Sequence, residues 1–146
     1  MAYRQILLAV DFSEHGEQVI QRAHDLAKKY EARLNIIHVV EDMPIMDSSY
    51  GPIVPFDIDL TDQMMDAAQK RLAEIADRLA IPQDRRRVEI GSPKAEIIRI
   101  AKEQQVDLIV IGSHGRHGIG LLLGSTAASV IHHAECDVLA VRLQGE

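Results

Sequence analysis

Glycines, hydroxyls and one arginine concentrate between residues 107 and 126, in the run DLIVIGSHGRHGIGLLLGST. An apolar strand-like segment ends at Gly112, and a second Gly-Ser pair, Gly124-Ser125, opens a helical pattern. Glycines between a strand and a helix N-terminus let backbone amides face an anion, and a helix start adds its positive dipole end. The chemistry expected here is the holding of a phosphate chain by the amides of Gly112 to Gly115, the hydroxyls of Ser113, Ser125 and Thr126, and a charge-assisted contact from Arg116. A bland reading competes with it, in which the glycines only turn a strand into a helix.

The loop departs from two common phosphate-binding motifs. Gly115 and Gly120 have the spacing of the GxxxxGK[ST] loop, but Leu121 stands where its lysine should be. The local order Gly115-x-x-Gly118-x-Gly120 is not the dinucleotide fingerprint GxGxxG. With no phosphate-reaching lysine and no evident metal-binding carboxylate near the loop, slow hydrolysis of a held phosphate chain is the most catalysis to expect. No catalytic residue is assigned, since Ser13, Ser113 and Ser125 lie in no GxSxG elbow. The seven histidines form no metal-ligand set: His114 and His117 lie in the loop, and His132 and His133 are adjacent and diverge on a helix. His38 reads as a satisfied core or cleft-edge histidine, Cys136 as a small buried hydrophobe, and Arg85 to Arg87 as a solvated rim.

The elements that must position the loop alternate strand and helix, as in a parallel sheet covered by helices. Strands are expected at 3–10, 33–40, 87–90, 107–111 and 138–143. Helices are expected from Ser13 through Ala27, from Leu60 to Leu79, from Pro93 through Gln104 with Ser92 as N-cap, and from Gly124 to His133. The methionines at 64 and 65 read as core filler. A long irregular stretch over 41–58 carries Pro44, Gly51, Pro52 and Pro55 and is expected to be mobile. Strict alternation suits a doubly wound α/β sheet, whose ligand site lies where strand order reverses, outside the carboxyl ends of the strands. If the first strand neighbours the fourth, Asp11 and the glycine loop meet there.

At 146 residues and 47% apolar content the chain suits a single domain over 1–146. A formal charge of -6, with three Tyr, two Phe and no Trp, leaves neither a basic footprint nor stacking platforms for nucleic acid. The opening apolar run is too short for a signal peptide or a membrane span, so no membrane association and a cytoplasmic setting are expected.

The segments MAYRQILLAVDFSE, LNIIHVVED and GSHGRHGIGLLLGSTAASVIHHAECDVLAVR together resemble the universal stress protein family over nearly the whole length. The resemblance implies a flavodoxin-like five-stranded parallel sheet of order 3-2-1-4-5 (adenine nucleotide alpha hydrolase-like), a homodimer and a stress-response role. One branch of that family binds ATP, carried with Mg, through Gly-x2-Gly-x9-Gly-[Ser/Thr]. Gly112, Gly115, Gly124 and Ser125 match it, but eight residues rather than nine separate Gly115 from Gly124. By the same resemblance Asp11 faces the adenine or ribose, Ala9 stands where binders often have proline, Val39 offers backbone contacts to the base, and Thr126 presents a further amide. The last strand, Asp137 to Leu143, is the dimer contact that the family implies. The alternative, motivated by the short loop, is a stress protein acting through protein-protein contacts without nucleotide, its partner unnamed by the sequence. A flavin protein is suggested by fold class alone.

Overall fold

The computed structural model describes residues 3–13, 16–41, 57–113 and 124–142. Gly115, Arg116, His114, His117 and most of the irregular stretch lie outside them, so the expectations placed on those residues are not addressed by the coordinates. The chain alternates strand and helix: β1 Gln5–Ala9, α1 Gly16–Tyr30, β2 Arg33–Glu41, α2 Asp57–Arg78, β3 Arg86–Gly91, α3 Pro93–Glu103, β4 Leu108–Gly112, α4 Ser125–His133 and β5 Asp137–Val141. A 3-10 turn, Gln83–Arg85, precedes β3. All strand pairs are parallel, in the order β3-β2-β1-β4-β5. The fold class and strand order are those expected from the sequence.

β1 is the middle strand, and its run of apolar residues is explained by burial on both faces. Ile6, Leu8 and Val10 pack with Val19, Ile20, Ala23 and Ala27 of α1 and Leu72 and Ala76 of α2. Leu7 and Ala9 point the other way, onto Ile97, Ile100 and Ala101 of α3 and Ala127 and Val130 of α4. Ile6, Leu7 and Leu8 are fully buried, so truncating either leucine to alanine costs about 3 kcal/mol.

Three helices stop without glycine. Glu31, Ala80 and Gln105 adopt left-handed backbone just past α1, α2 and α3, with φ of 54°, 58° and 54°. The amides that follow return to the helix: Ala32 N to Ala27 O at 2.9 Å, Ile81 N to Ala76 O at 2.9 Å and Val106 N to Ala101 O at 2.9 Å. This is the Schellman closure, which places a hydrophobic residue back onto the last turn. Here Ile81 and Val106 are buried, which offsets the cost of a side chain in that conformation.

Two expectations need correction. The arginine triplet is not a solvated rim: Arg86 donates to Ile81 O at 2.9 Å and pairs with Asp77 at 2.7 Å, its side chain only 12% exposed. Met64 is not core filler, because the face of α2 that meets the sheet is built from Ala68, Leu72 and Ala76 and leaves Met64 outside it, 41% exposed. Cys136, expected to be a small buried hydrophobe, is half-buried against the α3/α4 face, and burial, then the nearby Asp137 and Asp107 carboxylates, raise its thiol pKa.

Candidate functional site

The crossover after β1 runs to β2 and β3, whereas β4 returns to the opposite side of β1, so the connections diverge at the carboxyl ends of β1 and β4. A cleft of about 580 Å³ opens there. That size lies within the range of about 300–1,000 Å³ usual for small-molecule sites. Ala9, Asp11, Val39, Gly112, Gly124, Ser125 and Thr126 all line it. These residues come from three strands, the turn after β1 and the start of α4, and only the reversal of strand order brings them together.

At the far wall α4 begins at Gly124, whose backbone is extended and whose side chain, being absent, caps nothing. The first amides of a helix have no intrahelical partner. Those of Ser125, Thr126 and Ala127 therefore open on the cleft with the positive end of the helix dipole behind them. The amides nearer β4 are spent: Ser113 N donates to Val141 O at 2.8 Å and Gly124 N to Ser113 O at 2.6 Å. The expected run of ligand-facing amides from Gly112 onward is thus corrected, since Ser113 uses its own to tie β4 to β5. The Gly124–Ser113 bond also fixes the helix start directly beside the end of β4.

The near wall is the turn after β1. Asp11 Oδ1 accepts the Ser13 amide at 3.0 Å, which holds the carboxylate in the turn. His38 Nδ1 lies 2.7 Å from Val10 O; a carbonyl only accepts, so Nδ1 is the protonated nitrogen. The His38 ring stacks on Phe12 with centroids 4.0 Å apart and planes 28° apart, and the Arg71 guanidinium lies 4.4 Å from the centre of the Phe12 ring. His38 is thus the satisfied cleft-edge histidine expected from sequence. No group of three or more His, Cys, Asp or Glu among the described residues is arranged to hold a metal ion.

Residues 2–142 match the family model described as the universal stress protein family. The chain belongs to that family. Its sequence is 42% identical over 144 residues to universal stress protein A homolog 2 of Coxiella burnetii, covering 98% of this chain and 97% of the relative. Among solved structures it resembles the hypothetical protein MJ0577, a structural-genomics test case, with a TM-score of 0.84 and 25% identity over the full length of both. It also resembles a universal stress protein solved in complex with cAMP, with a TM-score of 0.65 and 25% identity over 97% of this chain and 98% of that one.

In this universal stress protein the sequence reading missed Phe12, Arg71 and Met64 as cleft residues. Phe12 follows Asp11 directly and was within reach of a reading that asked which side chains adjoin a motif. Arg71 and Met64 lie on α2, whose placement over β2 no local pattern reveals. No helix among the described residues is long and apolar enough to cross a membrane.

Proposed function

We propose that this universal stress protein binds an adenine nucleotide, ATP in its magnesium complex, in the cleft between β1 and β4. One observation carries the reading: the uncapped start of α4 presents three amides to a cavity that Asp11 and Val39 also line. Phosphates meet the amides of Ser125 to Ala127, while the base lies toward Val39 and Ala9 with Asp11 at the ribose or adenine. Gly115 completes the phosphate side by family resemblance, and Arg116 adds a charge-assisted contact. The magnesium is held mainly by phosphate oxygens and water, as that ion prefers. The cAMP complex of a structural relative supports an adenine nucleotide as the ligand class. The protein acts in the cytoplasm as a stress-response regulator, and its edge strand β5, with Val138 to Ala140 half-buried, pairs two copies into a homodimer.

Nucleotide released by denaturing gently purified protein and resolved by chromatography tests the reading, with near-stoichiometric adenine nucleotide expected. The second reading, a stress protein working through surface contacts alone, is favoured by the eight-residue spacing between Gly115 and Gly124. It predicts protein free of nucleotide and no binding heat at millimolar ATP. Sedimentation at micromolar concentration tests the dimer, and a monomer there overturns it.

A further inference from the structure

Phe12 is the one non-glycine residue with positive φ, among those described, that ends no helix; its φ is 60°. The other three are the helix stops already described. A left-handed backbone on an aromatic residue is costly and persists only where the surroundings impose it, and such strain gathers at functional sites. The strain here has a visible result. It turns both the ring and the carbonyl of Phe12 toward α2, where Arg71 Nη2 donates to Phe12 O at 3.4 Å and the guanidinium covers the ring. The opposite partner of the ring, His38, is itself tied to Val10 O. Arg71 therefore rests on the ring and carbonyl of Phe12, whose ring is in turn backed by His38.

Charge makes this placement consequential. Among the described residues lining the cleft, Asp11 and Glu41 are acids and Arg71 is the one lysine or arginine. No ion pair joins Arg71 to a described carboxylate, whereas Arg78, two turns further along α2, is occupied by Glu17 at 2.9 Å. A guanidinium keeps several donors available while one contacts a carbonyl and its face meets a ring. An anionic ligand entering beside two carboxylates gains from a cation on this wall as well as from the Arg116 expected of the glycine loop.

We infer that Arg71 is a phosphate-binding residue of this cleft, positioned by the strained Phe12 turn, and that it makes the site select phosphate-bearing nucleotides over the nucleoside. The inference rests on the nucleotide reading above but adds a residue from α2 that the glycine motif does not contain. A contact between a guanidinium and phosphate accounts for about tenfold or more in affinity.

The test is calorimetric titration of the full chain and its Arg71→Gln variant with ATP, adenosine and inorganic tripolyphosphate, with circular dichroism to verify folding. Arg71→Gln is expected to weaken ATP and tripolyphosphate about tenfold and to leave adenosine unchanged, while Arg71→Lys recovers part of the loss. Phe12→Ala is expected to weaken ATP in the wild-type background and to have no further effect in Arg71→Gln, a coupling that a merely structural role for Phe12 does not produce. Equal ATP binding by wild type and Arg71→Gln overturns the assignment and leaves the nucleotide reading intact, and equal loss of ATP and adenosine overturns it too. Tripolyphosphate binding that needs Arg71, without ATP binding, sustains the assignment and defeats the nucleotide reading. Wild-type protein that binds neither polyanion defeats both.

Discussion

The two ends of the parallel sheet treat their polar groups in opposite ways. At the amino ends the Asp107 carboxylate accepts the amides of Arg4, at 2.9 Å, and Gln5, at 3.1 Å, and so caps β1 from the turn before β4. Tyr3 donates to Asp137 Oδ2 at 2.7 Å, tying the chain before β1 to the start of β5. Buried Asn35 donates to Ile6 O at 3.1 Å and to Gln5 Oε1 at 3.2 Å. At the carboxyl ends, α4 starts with no side-chain cap, Phe12 is strained and Arg71 has no carboxylate partner among the described residues. The amino end is closed by its own hydrogen bonds, and the carboxyl end keeps donors without a partner among the described residues. On the proposed reading, stability and binding are thus separated along the strand axis.

The strongest way to probe that separation is to cut the closed end. Asp107→Ala removes the acceptor of two amides and is expected to destabilise the fold by about 2 kcal/mol in urea unfolding while leaving ATP affinity unchanged. The reverse holds at the open end. Ser125→Asp puts a carboxylate in the first turn of α4, where it is expected to add about 0.3–1 kcal/mol of stability through the helix dipole. The same charge faces the phosphates, so ATP affinity is expected to fall about tenfold, read by calorimetry. A variant that is more stable and binds less well separates a ligand site from an ordinary helix start.

Gly91 sharpens the comparison, because it lies at the carboxyl end of β3, away from the reversal point. Its φ of 142° is one that side chains rarely adopt, although the added methyl would meet Glu96 only at an ordinary 3.6 Å. Gly91→Ala is expected to cost about 1 kcal/mol from backbone strain and to leave binding unchanged, measured by thermal unfolding and titration. Lost ATP binding in that variant would mean that the whole carboxyl edge, not the β1/β4 crevice, forms the site.

The smallest effect is a titration. Hydrogen bonding to Asp137 is the main cause that raises the Tyr3 hydroxyl pKa above its usual 10.0, with minor additions from desolvation and nearby acids. A group whose folded pKa is raised contributes stability below its unfolded pKa and loses it as pH climbs through the folded value. Tyr3 is expected to ionise later than 10.0 in an ultraviolet titration, and Tyr3→Phe is expected to remove that phase.

Much of this architecture was legible before any coordinates. The near-continuous apolar run of LNIIHVV reflects burial on both faces of the sheet, the spacing of three and four in α1 reflects burial on one helix face, and the alternation of elements decided the class. The places of Asp11, Gly112 and Gly124 beside one cleft were legible because glycine and short polar residues mark where strands end and helices begin. The helix stops were less legible: Glu31, Ala80 and Gln105 do what glycine usually does, and what makes this tolerable at Ala80 and Gln105 is the tertiary burial of Ile81 and Val106. Phe12 with Arg71 was hidden for a related reason. The contact spans 59 positions and depends on a backbone conformation that no phenylalanine signals. The arginine triplet misled because charge runs are usually solvated, whereas Arg86 is held by Ile81 O and Asp77.

Nucleus-by-nucleus mapping of ATP onto nitrogen-labelled protein by amide chemical shifts tests the central claim most directly. The account predicts large shifts for Ser125, Thr126, Ala127, Asp11 and Val39 and none for Arg4, Gln5 or Asp107. Shifts centred on the amino ends of the strands, or none at saturating ATP, would contradict it.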